Sequence, residues 1–256
     1  MNYFRGIIKA ALLRYGYLLR KRNPSEILSA SIHLVSHPNG DCKFLVINPA
    51  DAIQRHHSAG GFHEQEILGL IKAYFKGGTF LDIGANVGNH SIFIAKAFPD
   101  AKVIAFEPHP DAFALLAANV SFNRLNDRIS VINKALSDGY YTATIRTPAH
   151  NLGGSTLELQ IRGRSAAEYF DICSTVIGDD YINTIVDFIK IDVEGHELKV
   201  LSGLSNTLKK MKPTIFVEVD ERTDSLVRDF ICHLGYCEAF RDKNAGLVRV
   251  VLYQSF

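Results

Sequence analysis

The chain has 256 residues, 47% of them apolar, enough for one full-sized domain with its own core plus small additions. Its formal net charge of +1 removes the global electrostatic case for a nucleic-acid partner. Four scattered cysteines with no Cys-x-x-Cys pair argue against a disulfide framework or zinc site and fit a reducing, cytoplasmic compartment, and no apolar stretch approaches the roughly 18 residues that span a bilayer.

Residues 1–22 interleave Arg5, Lys9, Arg14, Arg20, Lys21 and Arg22 with Ile7, Ile8, Leu12, Leu13, Leu18 and Leu19, and no acid precedes Glu26. The pattern predicts a basic amphipathic helix, either packed on its own domain or in peripheral contact with an anionic membrane. Asn23-Pro24-Ser25 ends it. Ile32–Ser36 and Cys42–Asn48 are predicted strands, and Asn39-Gly40 between them is a strong hairpin signal. Residues 49–62 are expected to form a loop, and Glu64–Phe75 a helix with Ile67, Leu70, Ile71 and Tyr74 on one face. His56, His57, His63 and Glu64 cluster here. Their spacing matches no helical metal-binding pair, so a polar loop is the expectation. We therefore divide the chain into an extension over residues 1–55 and a main domain over residues 56–256.

From residue 79 strand and helix patterns alternate. Phe80, Leu81 and Ile83 form a buried strand that runs into Gly84 and Gly88, and Ile92, Ile94, Ala95 and Phe98 continue as a helix. Lys102–Phe106 is a strand ending at Glu107-Pro108, followed by a helix face of Phe113, Leu116, Ala117 and Val120. Ile129–Ile132, Tyr140–Arg146, Ile172–Ile177 and Asp187–Ile191 are strand-like, residues 147–165 loop-like, and Glu194–Leu208 helical with Leu198, Leu201, Leu204 and Leu208 inward. Thr214–Val219, Leu226–Leu234, Tyr236–Phe240 and Leu247–Tyr253 give strand, helix, strand, strand. Such alternation predicts an α/β domain with a doubly wound, mostly parallel, Rossmann-like sheet and an antiparallel hairpin at one edge.

The chemistry concentrates at the ends of three strands. Gly84-x-x-x-Gly88 matches neither the dinucleotide fingerprint nor a phosphate-binding P-loop, though such a turn lets backbone N–H groups approach a ligand. Asp82 would repel a pyrophosphate but suits an ammonium group, such as the amino-acid end of S-adenosylmethionine. Glu107 lies 23 positions after Gly84, where doubly wound folds place an acid that accepts from both ribose hydroxyls. Ala135 to Asp138 are expected to reach the same crevice and border an adenine ring. The stretch from Phe188 to Glu197 sets Lys190, Asp192, Glu194, His196 and Glu197 between a buried strand and a helix. Helix capping explains Glu197 and Glu194, but explains Asp192 less well. Glu218 adds an acid on the same sheet edge.

In order and spacing, Leu81 to Gly88, Phe106-Glu107-Pro108, Ile189 to Gly195 and Pro213 to Glu218 resemble FkbM-type methyltransferases over residues 60–220, and the Asn151–Ser155 loop is similar to that family's linker. The resemblance implies a class I methyltransferase fold, S-adenosylmethionine as cofactor, and O-methylation of a hydroxyl on a sugar, glycan or other small metabolite. By motif, Asp82, Gly84, Asn86 and Gly88 would hold the methionine end, with Ala85 and Asn89 in the same turn. Glu107 would hold the ribose, with Ala135 and Ser137 nearby, and the Asp192–Glu197 segment would face the acceptor. The base is then Asp192 or His196, with Glu194 beside them; a divalent cation on Asp192, Glu194 and Glu218 is the alternative. Residues 50–63 and 147–170 are expected to select the acceptor, with Tyr140, Tyr141 and Tyr169 as stacking candidates for a sugar ring. A binding module without turnover is a competing reading. So is a nicotinamide-dependent oxidoreductase, which the missing third glycine disfavours. The sequence specifies no oligomeric state.

Overall fold

A computed structural model describes residues 30–148, 151–158, 168–242 and 248–255. The basic segment 1–22 lies outside them. The predicted hairpin pairs β1 (Ser31–Val35) with β2 (Cys42–Val46), antiparallel, with Val35 opposite Cys42. Residues 49–62 are not all loop: a one-turn helix, α1 (Gln54–Ser58), forms there. Asp51 explains it, since its Oδ1 accepts from the N–H groups of Ile53 and Gln54 and fixes the entry to the turn. Next comes α2 (Gln65–Tyr74), whose Leu68 and Ile71 are buried while Ile67, Leu70 and Tyr74 pack at the margin of the core.

The alternating segment follows as β3 (Thr79–Ile83), α3 (Asn89–Ala97), β4 (Lys102–Phe106), α4 (Pro110–Phe122) and β5 (Ile129–Ile132). A second group is β6 (Ala135–Ser137), β7 (Thr142–Pro148), β8 (Thr156–Glu158) and β9 (Glu168–Ile177), followed by a short α5 (Gly178–Tyr181). The chain ends with β10 (Phe188–Ile191), α6 (Glu197–Gly203), α7 (Ser205–Met211), β11 (Thr214–Asp220), α8 (Asp224–His233), β12 (Tyr236–Arg241) and β13 (Val248–Ser255). The helix expected over Glu194–Leu208 is thus two helices. It breaks at Gly203-Leu204, where a Cβ on Gly203 would collide with the Ser137 carbonyl oxygen of β6.

The main sheet has the order β12-β13-β11-β10-β3-β4-β5, parallel except for β13. The edge hairpin forms as predicted, with its second strand on the inside, paired to β11. The strands near residues 140–146 and 172–177 leave this sheet and build a smaller one in the order β6-β9-β7-β8, which also orders part of the expected 147–165 loop. Their pattern explains the departure. In β7, Ala143, Ile145 and Thr147 are buried and alternate with outward residues, as in a sheet covered on one side. Among the described residues no helix is long and apolar enough to cross a membrane.

Period-two alternation divides the central strands between two cores. Leu81, Ile83, Ile189, Ile191, Ile215 and Val217 face α6, α7 and α8, while Phe80, Phe188 and Phe216 join the core beneath α2, α3 and the hairpin. Phe80 stacks on Phe188 with ring centroids 5.2 Å apart. The next residues on that aromatic face are Asp82 and Lys190, which are register partners, and beyond them come Gly84, Asp192 and Glu218. One face therefore passes from aromatic core to ion pair to cleft within two pleats.

Candidate active site

The glycine turn closes on the end of β4. The N–H groups of Gly84 and Ala85 both donate to Phe106 O at 3.0 Å, Asn86 N–H donates to Glu107 Oε2 at 2.8 Å, and Val87 N–H donates to Asn86 Oδ1. The free N–H cradle expected from the sequence is therefore absent, because the turn's own donors are spent on the end of β4, on Glu107 and on the turn itself. Gly84 has φ +80°, and a Cβ there would collide with the Asp192 carbonyl oxygen, so glycine lets the turn lie against the end of β10.

Glu107 is 6% exposed. Its Oε1 accepts from His109 N–H at 2.7 Å and its Oε2 from Asn86 N–H. Burial pushes this carboxyl up to about 7, against the lowering by those two bonds. It borders a cleft of about 660 Å³, open at its mouth, with apolar walls from Phe106, Pro108, Leu136, Ile145 and Leu157. Ala135 lines this cleft as expected. Ser137 does not: its hydroxyl pairs with His196 Nε2 at 2.8 Å and with the Tyr141 hydroxyl, away from both clefts. His196 is held in the same buried place, so the structure does not bring this candidate base to the site. Burial, helped by Lys199, lowers its pKa to about 4 and keeps it neutral.

A second cleft of about 640 Å³ shares Ile53, Gly84, Asn86, Gly153, Asp192 and Glu194 with the first and adds His63, Glu64, His90, Lys190 and Glu218. Lys190 organises it. Its Nζ donates to Gly84 O at 2.8 Å and lies 3.3 Å from both Asp82 Oδ1 and Asp192 Oδ2. Burial opposes its charge, but Asp192 and Asp82 override this and hold it protonated far above neutrality. Asp82 is fully buried, its Oδ2 accepts from Ser91 Oγ at 2.6 Å, and it lines neither cleft. The expected contact from Asp82 to a ligand is thus replaced by a second-hand role, holding Lys190. Gly88 also lines neither cleft and packs near Leu116. Ala85 and Asn89 do line the polar cleft, but the Asn89 side chain is committed to His57 and to both backbone groups of His63.

Asp192 and Glu194 line both clefts. Glu194 precedes α6 with φ +51°, and no side chain caps that helix: Glu197, its first residue, turns back so that Oε1 accepts from Gly195 N–H. Partial desolvation, with Asp192, Glu197 and Asp220 nearby, raises Glu194 to about 7. Glu218 is raised further, to about 8, by desolvation and by Asp192 and Glu64. Of the five non-glycine residues with positive φ among those described, Glu64, Asn86 and Glu194 border the polar cleft, a concentration of backbone strain usual at functional sites.

Among the described residues no group of three or more His, Cys, Asp or Glu side chains is arranged to hold a metal ion. The alternative Asp192, Glu194 and Glu218 set is not assembled as ligands, and Asp192 turns to Lys190. The residue 56–64 cluster is not assembled either: His57 stacks on Phe44 at 3.9 Å and bonds Asn89. Tyr140 donates to Asp180, and Tyr141 sits beside Ser137 and Asp138, so neither faces the clefts. The Tyr169 side chain lies outside the described residues. The loops at 50–53 and 151–157 do reach the clefts, stapled together by Asp51 Oδ2, which accepts from Leu152 N–H.

Sequence reasoning missed Glu64, His90, Lys190 and Asp51 as a working set. A signal existed for Lys190 alone, since Asp82 and Lys190 are the polar exceptions at matching positions of two buried strands.

A family model described as "Methyltransferase FkbM domain" matches residues 82–237. The methyltransferase sdnD of Sordaria araneosa is 26% identical over 55% of this chain and 66% of its own length. The hexuronic acid methyltransferase AglP of Haloferax volcanii is 27% identical over 63% of this chain and 64% of its own. The 31-O-demethyl-FK506 methyltransferase FkbM of Streptomyces tacrolimicus is 30% identical over 51% and 60%. The chain thus spans less than two thirds of the length of these relatives. A crystal structure of methyltransferase FkbM from Methylobacillus flagellatus superposes with a TM-score of 0.52 at 18% identity, covering 79% of this chain and 52% of that one, and shares the fold. The strand order, the paired clefts and a family match over more than half its length lead to one assignment: this chain belongs to the FkbM methyltransferase family.

Proposed function

We propose that the chain transfers a methyl group from S-adenosylmethionine to a hydroxyl of a sugar, glycan or other small metabolite. The observation that carries the reading is Glu107, fixed by two backbone N–H groups beside an apolar cleft that continues past Gly84 into a polar one. A carboxylate oriented in this way retains lone pairs for the two adjacent hydroxyls of a ribose. The apolar walls suit an adenine ring. The name of the S. tacrolimicus relative, which refers to an O-demethyl substrate, supports oxygen as the methylated atom.

When bound, S-adenosylmethionine supplies a methyl group on a sulfonium, a good leaving group. The chain's residues are then left to position the acceptor, worth roughly 7–11 kcal/mol, and to remove one proton, worth a further 10²–10⁴-fold or so. Glu194 takes the hydroxyl proton. It stands at the junction of the clefts with a pKa near working pH. Asp192, held by Lys190, orients the hydroxyl, and Glu218, protonated at neutral pH, donates to an acceptor oxygen.

The test is transfer of labelled methyl from S-adenosylmethionine to a panel of neutral sugars, uronic acids and polyols. We expect product label that resists mild alkali, as an ether does, and a Glu194→Gln variant with kcat lowered about 100-fold and S-adenosylhomocysteine affinity retained. An alkali-labile label would mean an ester on a carboxylate and would overturn the hydroxyl assignment.

A further inference from the structure

The carboxylate that the sequence sets beside the glycine turn, Asp82, is sealed behind Lys190 and Ser91. Four carboxylates reach the cleft beside that turn; Asp192 is paired with Lys190, and Glu64 stands immediately before α2, outside the stretch matched by the family model. Its Oε1 lies 3.3 Å from His63 Nε2. Its Oε2 lies 3.7 Å from His90 Nε2, too far for a hydrogen bond. His90 is 6% exposed and lines the cleft, and its Nε2 is buried without a hydrogen-bond partner. A buried polar nitrogen with nothing to bind is costly, and a ligand group placed there offsets that cost.

We propose that Glu64 and His90 together receive the amino-acid end of the methyl donor, the Glu64 carboxylate taking the ammonium and His90 Nε2 donating to the carboxylate. The assignment rests on the reading of the donor as S-adenosylmethionine. An ammonium needs an acceptor that stays ionised. Burial alone would raise Glu64, but the hydrogen bond from His63 and the charge of Lys190 hold it well below the ordinary carboxylate range. An adjoining carboxylate needs donors and positive potential. His90 supplies a neutral ring, kept so by burial and by Lys190, and it sits in the first turn of α3, where the helix dipole favours an anion. Lys190 adds its charge from below the turn. Glu64 Oε2 and His90 Nε2 lie 3.7 Å apart, close enough to serve the two charged groups on one α-carbon. Asn89 sets the spacing by tying the His63 backbone to α3 through both its amide atoms.

The experiment is calorimetry on the full chain with two ligands, S-adenosylhomocysteine and 5′-methylthioadenosine, which shares the adenosyl thioether but lacks the amino-acid end. Wild type is expected to bind S-adenosylhomocysteine the more tightly. Glu64→Gln should weaken that ligand about 10- to 100-fold while leaving 5′-methylthioadenosine within about twofold, and His90→Gln should show the same selective loss at about tenfold. Retained 5′-methylthioadenosine binding also reports that each variant is folded. If Glu64→Gln binds S-adenosylhomocysteine as wild type does, or both variants lose the two ligands equally, the receptor assignment is wrong. Wild type that binds neither ligand would instead overturn the donor reading, so the two failures are separable.

Discussion

Replacing Glu107 with Gln keeps the shape of a buried side chain and removes its charge. The folded protein holds this carboxyl at about 7 against an ordinary 4.5. Below pH 4.5 it is protonated in both folded and unfolded chains. Between 4.5 and 7 the unfolded chain releases its proton while the folded one retains it, so the stabilising contribution present at low pH is lost as pH rises through 7. At about 1.4 kcal/mol per pH unit the full loss is about 3.5 kcal/mol. The Gln variant lacks this slope. It carries a fixed penalty instead, because its single amide oxygen serves only one of the Asn86 and His109 N–H groups, about 1–3 kcal/mol at any pH. Urea unfolding of both proteins at pH 5, 6, 7 and 8 separates the two effects. The stability of the variant relative to wild type should rise by about 2.5 kcal/mol across that range, whatever the offset. A change under about 1 kcal/mol would mean that Glu107 titrates like an exposed carboxylate, and the desolvated crevice described above would not exist.

Other substitutions test the remaining supports. Lys190→Met strips the buried Asp82 carboxylate of its counter-charge and should cost about 3–5 kcal/mol in urea unfolding, with Asp82→Asn in the same chain recovering a large part. Asp51→Ala removes two bonds from the N–H groups that enter α1 and the one from Leu152 N–H that joins the 50–53 and 151–157 loops. It should lower stability by about 2–4 kcal/mol and speed hydrogen exchange at Leu152. Phe80→Ala, at the stacked centre of one core, should cost about 3–5 kcal/mol by thermal or urea unfolding. His196→Asn should leave S-adenosylhomocysteine affinity within about twofold, since His196 bonds Ser137 outside both clefts; a tenfold loss would return it to the site.

The parts of this architecture that repeat locally were readable from the chain. Phe80-Leu81-Asp82-Ile83-Gly84 announces a buried parallel strand and a glycine turn, and the Asn39-Gly40 hairpin follows from turn chemistry alone. Glu107, Asp192 and Glu194 could be placed near one another because strand ends in a doubly wound sheet converge on one edge, and all three border the clefts. What the pattern hid depends on three-dimensional neighbours. The sequence assigns Asp82 to a ligand, yet register places it opposite Lys190, and the ion pair consumes it. The Gly84 turn offers no free donors because β4 ends just where those N–H groups point. His196 and Ser137 lie 59 residues apart and meet only because β6 leaves the main sheet to pair with β9. Glu64 reaches the cleft through a left-handed backbone at the start of α2, which no periodicity reveals.

What the two clefts bind decides the function of this chain. Calorimetry of S-adenosylhomocysteine against wild type and Glu107→Ala, with NAD as control ligand, tests this most directly. The geometry predicts one binding site in wild type, affinity lost or reduced at least about tenfold in the variant, and no comparable binding of NAD. A folded wild type that ignores S-adenosylhomocysteine, or prefers NAD, would contradict it.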